Sequence, residues 1–200
     1  MAKRALAYKI KLAAILLAYS LYAVPVASAQ NPKVILDTNV GQITLELWPG
    51  KAPNTVRNFI QYAEHGHYNG TIFHRVIKRF MIQGGGFTPD YIQKPTRAPI
   101  ENEANNGEKH IRGTLAMART SDPHSATAQF FINTGRNEAL DYRGKTEDDW
   151  GYTVFGRVVE GIKVVMQIGN FPTKRDGPFA KDVPVKPIII ERATVIQPEE

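Results

Sequence analysis

Few residues in this 200-residue chain have the types and spacing needed to make or break covalent bonds. The chain contains no cysteine, which excludes thiol catalysis, disulfide bonds and cysteine-ligated zinc or iron–sulfur sites. It also lacks the Gly-x-Ser-x-Gly turn of serine hydrolases and the Gly-x-x-x-x-Gly-Lys loop that binds phosphates. Glu101 and Glu103 are candidates for a general acid–base pair, but no pattern places their carboxyl groups together, and a solvated loop is the favoured interpretation.

The histidines do not form a recognisable metal site. His65 and His67 are two residues apart, whereas two ligands on one helical face lie about one turn apart. The other histidines are far from this pair and from one another in sequence: His74, His110 and His124. We therefore expect the histidines to lie at the surface, and we expect neither a metal ion nor a cofactor.

Two apolar runs each contain a side chain able to donate hydrogen bonds, Arg75 in the run 73–77 and Gln83 in the run 80–85. If the first run is a strand, alternate side chains share a face. That face then carries Thr71, Phe73, Arg75 and Ile77. An arginine among such neighbours is either an edge residue whose charged end reaches water, which is the commoner case, or a hydrogen-bond donor that serves a functional site.

The elements that must position these side chains are mostly short strands. Alternating patterns and short apolar runs bounded by turn residues predict strands at 34–38, 42–48, 71–77, 80–83, 114–118, 129–133, 153–159 and 185–196. The order of elements does not alternate between strand and helix, which argues against a doubly wound parallel sheet. The predicted fold is mainly β, an antiparallel sheet closed into a barrel with helices covering its ends.

Two helices and one long connection complete the prediction. A helix begins at Pro53 and stops at Gly66, because the apolar residues between them fall on one face. A shorter helix is predicted between Gly161 and Gly169. Residues 172–187 are predicted to be a long irregular connection, and the run Gly84-Gly85-Gly86 to be a bend or a close approach of backbones.

The first 29 residues have the layout of a secretory signal peptide. They carry four basic and no acidic residues, a 13-residue apolar run from Leu12 to Val24, and the small-residue pattern Ala27-Ser28-Ala29. The alternative is an uncleaved membrane anchor, but a spanning helix needs roughly 20 apolar residues. We expect cleavage after Ala29, a single mature domain at 30–200, no stable membrane association after cleavage, and a periplasmic location.

The charge of the chain does not indicate nucleic-acid binding. The formal net charge is +6, and it falls to +2 once the four basic residues of the leader are removed. A domain with so small an excess of positive charge has no obvious electrostatic footprint for DNA or RNA. No nucleic-acid partner is therefore expected.

Four motifs identify a resemblance to a known family: 73–77 (FHRVI), 80–85 (FMIQGG), 125–132 (SATAQFFI) and 154–156 (VFG). Together they resemble the cyclophilin family of peptidyl-prolyl cis–trans isomerases, from about Lys33 to about Val195. With the leader segment, the chain looks like the periplasmic bacterial branch. The resemblance implies a closed eight-stranded antiparallel barrel capped by two helices, with a proline-binding groove on its outer surface. It also implies unfolded or extended Pro-containing polypeptides as partners, and a monomer.

The resemblance also implies which residues form the groove. The essential arginine falls on Arg75, and Gln83 and Phe80 join it as catalytic residues. The implied substrate-binding residues are Met81, Ala118, Arg119, Gln129, Phe131, Leu140 and Tyr152, with Ala118 and Arg119 acting through their backbone. Ala139 stands where many eukaryotic members have a tryptophan that contacts cyclosporin A, so binding of that drug is expected to be weak.

One alternative to an isomerase remains open. The groove could belong to a binding module or chaperone that holds Pro-containing segments with little turnover.

Two aromatic residues stand near the edge of the implied groove. Tyr152 falls where many eukaryotic members have a histidine at that edge. Trp150 either covers the rim of the groove or packs on the surface of its loop. The position of the Trp150 ring in the folded protein decides between these two arrangements.

Overall fold

A computed structural model describes residues 30–197, and the predicted signal segment, residues 1–29, lies outside the described residues. The strands are β1 (Lys33–Thr38), β2 (Gly41–Leu47), β3 (Thr71–Ile72), β4 (Arg75–Ile77), β5 (Met81–Gly84), β6 (Thr114–Met117), β7 (Phe130–Asn133), β8 (Val154–Glu160), β9 (Thr173–Asp176), β10 (Phe179–Pro184) and β11 (Ile189–Ile196). The helices are α1 (Pro53–Glu64) and α2 (Ile162–Ile168). Within 30–197, no helix is long and apolar enough to cross a membrane.

The main sheet is antiparallel and curls almost into a closed barrel. Its order is β3-β11-β1-β2-β8-β6-β7-β5-β4, so β3 and β4 are its two edges. These edges are separated in the chain only by Phe73 and His74, and the covalent link between them closes the curl. The predicted class, mainly β with two helices, is confirmed.

The strand count differs from the expected eight because the run 71–77 is not one continuous strand. It breaks at Phe73 and His74 into β3, which pairs with β11, and β4, which pairs with β5. The break also separates two side chains that were expected on one face. Phe73 is fully buried in the barrel core, whereas Arg75 is exposed on the outer surface.

A second two-stranded ribbon, β9–β10, replaces much of the irregular connection predicted at 172–187. Its aromatic residue Phe179 stacks on His74, with 5.2 Å between ring centroids, and meets Phe87 edge to face at 5.1 Å. These contacts hold the ribbon beside the edge strand β4. The sequence of 172–187 shows no alternation because most of the ribbon is exposed, and its buried side chains, Val183 and Pro184, lie side by side at the end of β10.

Helix α1 is held over the barrel by its apolar face and by a carboxylate from a distant loop. Val56, Phe59 and Ala63 are buried, as the predicted face requires. Ala52 at the N-cap has no side chain to cap the helix, and Glu103 takes that role by accepting hydrogen bonds from the backbone N–H groups of residues 54 and 55, at 3.1 and 2.9 Å. A carboxylate suits this end of a helix, where N–H groups lack partners and the dipole is positive. Glu103 is therefore a helix cap rather than part of a solvated loop or an acid–base pair.

The expectation of surface histidines is wrong for three of them, His67, His74 and His110, which are buried. His74 is only 3% exposed and lies under the aromatic residues of the ribbon. Burial lowers its pKa to about 4, and the positive charge of Arg75 contributes in the same direction. The folded protein therefore holds His74 in its neutral form at neutral pH.

We expect acid to destabilise the fold partly through His74. Its pKa in the folded state lies below the ordinary value of 6.5, so its contribution is complete above pH 6.5 and is lost as the pH falls from there to about 4. At ~1.4 kcal/mol per pH unit, the loss approaches about 3 kcal/mol. Urea denaturation between pH 7 and 4 should give a flatter pH dependence of the unfolding free energy for His74→Gln than for the wild type. The exposed-site control His65→Gln should parallel the wild type, and a His74→Gln curve that also does so would contradict this account.

Candidate active site

One row of paired residues crosses five strands on the outer surface of the sheet. Arg75 pairs with Gln83, Gln83 with Phe131, Phe131 with Ala116, and Ala116 with Val154. Successive side chains in a strand point to opposite faces, so the neighbours of this row point into the barrel. These inward neighbours belong to the core: Val76, Ile82, Leu115, Phe130, Ile132 and Phe155.

The outer face has an apolar cluster of its own, separate from the barrel core. Its buried members are Met81, Ala116, Phe131 and Val154. Partly buried apolar residues surround them: Trp48, Ile77, Phe80, Ala118, Leu140 and Tyr152. An apolar cluster on the outside of a barrel leaves a surface recess that an apolar group can fill.

This recess has a volume of about 220 Å³ and collects nine of the ten residues that the resemblance implies. They are Arg75, Phe80, Met81, Gln83, Ala118, Arg119, Phe131, Leu140 and Tyr152. The tenth, Gln129, lines an adjoining recess of about 170 Å³ that shares Gln83, Ala118 and Arg119 with the first. The recess is smaller than a typical drug-sized pocket and matches a small ring with flanking backbone.

A chain of hydrogen bonds connects the polar side chains of the recess. Arg75 Nη1 donates to Gln83 Oε1 at 3.4 Å, and Gln83 Nε2 donates to Gln129 Oε1 at 3.0 Å. These bonds fix which end of the Gln83 amide faces the guanidinium. Since a guanidinium carries five N–H donors, Arg75 keeps donors for a bound molecule.

Arg119 contributes to the recess differently from Arg75, because its guanidinium fastens a loop. It donates to four backbone carbonyl oxygens at 2.9 to 3.2 Å, those of Thr120, Ser121, Glu147 and Gly151. Its Cζ also lies 4.7 Å from the centre of the Tyr152 ring. The Arg119 guanidinium thus holds residues 147–152 against the rim of the recess.

The backbone of Ala118 is partly occupied as well. Its N–H donates to the carbonyl of Gln129 at 2.9 Å, so this group is not available to a bound molecule. A backbone contact at Ala118 would therefore have to use its carbonyl oxygen as acceptor.

His110, which sequence reasoning did not connect to this site, supports the recess from behind. It is 1% exposed, and its ring stacks on Phe131 at 5.7 Å with 13° between the planes. Its Nε2 lies 3.0 Å from the carbonyl oxygen of Tyr152, and its Nδ1 lies 3.2 Å from Nδ2 of Asn133. A neutral ring that donates at Nε2 and accepts at Nδ1 satisfies both contacts, in agreement with burial lowering its pKa. Nothing in the local sequence around His110 signals this position.

Trp150 does not line the recess. It packs against His124 and Tyr142, with ring centroids 5.0 and 5.5 Å away, so it is a loop aromatic rather than a cover for the rim. Ala139 borders an adjoining open recess of about 550 Å³.

The chemistry available here is binding, desolvation and hydrogen bonding. The side chains lining the recess are apolar, amide, guanidinium and one phenol, and they include no pairing of a nucleophile with a base. Across the described residues, no three His, Asp or Glu side chains are grouped so that they could hold a metal ion.

Three comparisons with known proteins give concordant results. Residues 33–195 match the family model described as cyclophilin type peptidyl-prolyl cis-trans isomerase/CLD. The chain is 56% identical over 163 residues to peptidyl-prolyl cis-trans isomerase cyp18 of Streptomyces antibioticus, covering 82% of this chain and 98% of that protein. It is 55% identical over 162 residues to peptidyl-prolyl cis-trans isomerase B of Escherichia coli K12, covering 81% and 98%. The fold resembles a Cryptosporidium parvum cyclophilin type isomerase solved in the presence of the dipeptide Ala-Pro, with a TM-score of 0.68, 28% identity, and coverage of 84% of this chain and 99% of that one.

We expect Gly86→Ala to separate Gln129 from Gln83 without unfolding the protein. A Cβ at Gly86 would lie 2.6 Å from Cγ of Gln129, and that flexible side chain can move away, at a cost of about 1 kcal/mol for the lost hydrogen bond. NMR should show faster exchange and a shift of the Gln83 side-chain amide, with a melting temperature lowered by only about 2–4 °C. Gly50→Ala is the matched control, because a Cβ there meets nothing within 4 Å. An unmoved Gln83 amide in Gly86→Ala would show that the contact does not depend on this glycine.

Proposed function

The chain belongs to the cyclophilin-type peptidyl-prolyl cis–trans isomerase family, and we propose that it accelerates rotation about X–Pro peptide bonds in the recess that contains Arg75. In this proposal, Arg75, Gln83 and Phe80 act on the reacting peptide bond. The substrate-binding residues are Met81, Ala118, Arg119, Gln129, Phe131, Leu140 and Tyr152. The observation that carries the proposal is the Arg75–Gln83 pair in the wall of an apolar recess.

The reaction requires no bond to be made or broken. Its obstacle is amide resonance, which sets a barrier of ~18–20 kcal/mol and makes uncatalysed exchange take tens to hundreds of seconds. To reach the millisecond range, the barrier must fall by about 7 kcal/mol, a factor on the order of 10⁵. The groups required are those that bind the twisted amide better than either planar form.

Arg75 supplies the interaction that strengthens as the bond twists. The proline nitrogen loses conjugation during rotation and regains a lone pair, which a guanidinium N–H can then meet. A guanidinium keeps its positive charge throughout the working pH range, so the donor is always present. One such charged hydrogen bond contributes roughly 1.5–3 kcal/mol, so other groups must lower the rest of the barrier.

The apolar wall and Gln83 supply the remainder. Phe80, Met81 and Phe131 offer a surface for the proline ring, which holds the ring while the preceding carbonyl turns. Gln83 is held by Arg75 on one side and Gln129 on the other, so its amide is oriented before substrate arrives. Displacing water from a recess of this size strengthens each polar contact, because the local dielectric falls.

The substrates we propose are unfolded or extended polypeptides that contain proline. The recess is open at the surface and continues into the adjoining recess near Gln129, which suits an extended chain rather than a buried small molecule. The Cryptosporidium parvum relative solved in the presence of Ala-Pro supports a proline-containing ligand.

Arg75→Ala should reduce kcat/KM for a proline-containing peptide by roughly 10- to 150-fold, the loss of one charged hydrogen bond to the transition state. Peptide affinity should fall much less, since the apolar wall remains. Rates are measured by NMR exchange on the mature protein, and affinity by titration. Arg192→Ala is the matched control, because that arginine pairs with Asp37 at 3.2 Å on another face.

If the Arg75→Ala variant catalysed cis–trans exchange of the peptide as fast as the wild type, catalysis by this guanidinium would be excluded. Tight peptide binding with no acceleration by the wild-type protein would instead identify a binding module or chaperone.

We also propose that residues 1–29 direct the chain out of the cytoplasm and that the isomerase acts as a periplasmic monomer on exported proteins. The charged start, the 13-residue apolar run and the small residues before Gln30 support export. When the full chain is expressed in a Gram-negative host, N-terminal sequencing of the periplasmic fraction should begin at Gln30. Ala29→Leu should slow processing, because a large residue does not fit the cleavage pattern. Recovery of the uncleaved chain in the cytoplasm would overturn this proposal.

A further inference from the structure

The ribbon β9–β10 places an acidic side chain beside the guanidinium of Arg75. Regular pairing in the ribbon is interrupted between Phe179 and Val183, and Asp182 lies in this irregular stretch. Its φ is +69°, in the left-handed region that residues other than glycine seldom adopt, although aspartate tolerates it better than most. Strained backbone of this kind concentrates at functional sites.

The carboxylate of Asp182 approaches the guanidinium of Arg75. Asp182 Oδ2 lies 4.0 Å from Nε of Arg75, and the two side chains are 20% and 46% exposed. Gln83 contacts the same guanidinium at Nη1. Two elements that are distant in sequence, β5 and the ribbon, therefore approach two different nitrogens of one arginine.

We propose that Asp182 is a positioning residue for Arg75, a role that rests on the proposed function of this arginine. An arginine at a sheet edge can adopt many rotamers, and most of them point the guanidinium into solvent. The Asp182 carboxylate at Nε and the Gln83 amide at Nη1 restrict those rotamers and leave Nη2 for the proline nitrogen. Because the carboxylate is mostly shielded from water, its attraction for the guanidinium is screened less than that of a fully exposed ion pair.

Asp182→Asn tests this role with little change in shape, since asparagine also tolerates the left-handed conformation. We expect kcat to fall about twofold to fivefold, the size of a partly exposed ion pair, with KM, peptide affinity and melting temperature nearly unchanged. A merely structural role of Asp182 would lower the melting temperature instead. Asp182→Gly, which relieves the backbone strain and also removes the carboxylate, should show the same loss of kcat.

Asp176→Asn is the matched control in the same ribbon. Asp176 pairs with Lys174 at 2.7 Å, and this variant should keep the wild-type kcat. In the Arg75→Ala background, Asp182→Asn should cause no further loss, because positioning is meaningless once the guanidinium is gone.

The outcomes separate this inference from the proposed function. If Arg75→Ala is impaired while Asp182→Asn keeps the wild-type kcat, positioning by Asp182 is overturned and the role of Arg75 stands. If Arg75→Ala itself has the wild-type rate, the proposed function fails, and this inference fails with it. Equal losses of kcat in Asp182→Asn and Asp176→Asn, or additive losses with Arg75→Ala, would assign the effect to the ribbon as a whole and overturn the inference.

Discussion

The antiparallel register of β4, β5 and β7 is the constraint on which the groove depends. It sets Arg75, Gln83 and Phe131 in one row on the outer face, so the donor, the amide and the aromatic wall are neighbours before any substrate arrives. A slip of one residue would turn the whole row into the barrel and bring Val76 and Ile82 to the surface. Because Val76 and Ile82 are stable only when buried, their burial fixes the strand register and with it the positions of the residues that line the recess.

The two faces of the sheet differ: the inner face forms the main core, and the outer face carries the recess that we propose as the active site. The inner face packs a large core with helix α1, while the outer face holds a small cluster around Phe131 that is open on one side. Such an open cluster needs support from elsewhere. His110 stacks behind Phe131, and Arg119 ties the loop that carries Tyr152. The groove is thus held by polar contacts to backbone carbonyls as much as by apolar packing.

Isomerisation of a peptide bond requires side chains that are well positioned, and it does not require chemically reactive ones. In the proposed mechanism, Arg75 and Gln83 need no unusual chemistry of their own, and their effect depends on where the fold holds them. Gln83 is held from two sides, and the guanidinium of Arg75 is approached by both Gln83 and Asp182. Prior orientation of this kind lowers a barrier because the protein does not have to reorganise while the bond turns.

The sequence alone determined what depends on local pattern. Alternation located most strands of the main sheet, and Pro53 located the start of α1. The family resemblance carried by the four motifs implied ten site residues, of which nine meet in one recess. Tertiary structure decided what depends on contacts between distant segments: the break of the run 71–77, the ribbon β9–β10, the burial of His110, and the approach of Asp182 to Arg75. The physical reason is that hydrophobic periodicity reports which face of an element is buried, whereas a polar side chain acquires its partner only when the chain closes on itself. Asp182 lies more than a hundred residues from Arg75 in the sequence, so no local sequence pattern indicates that the two side chains approach each other.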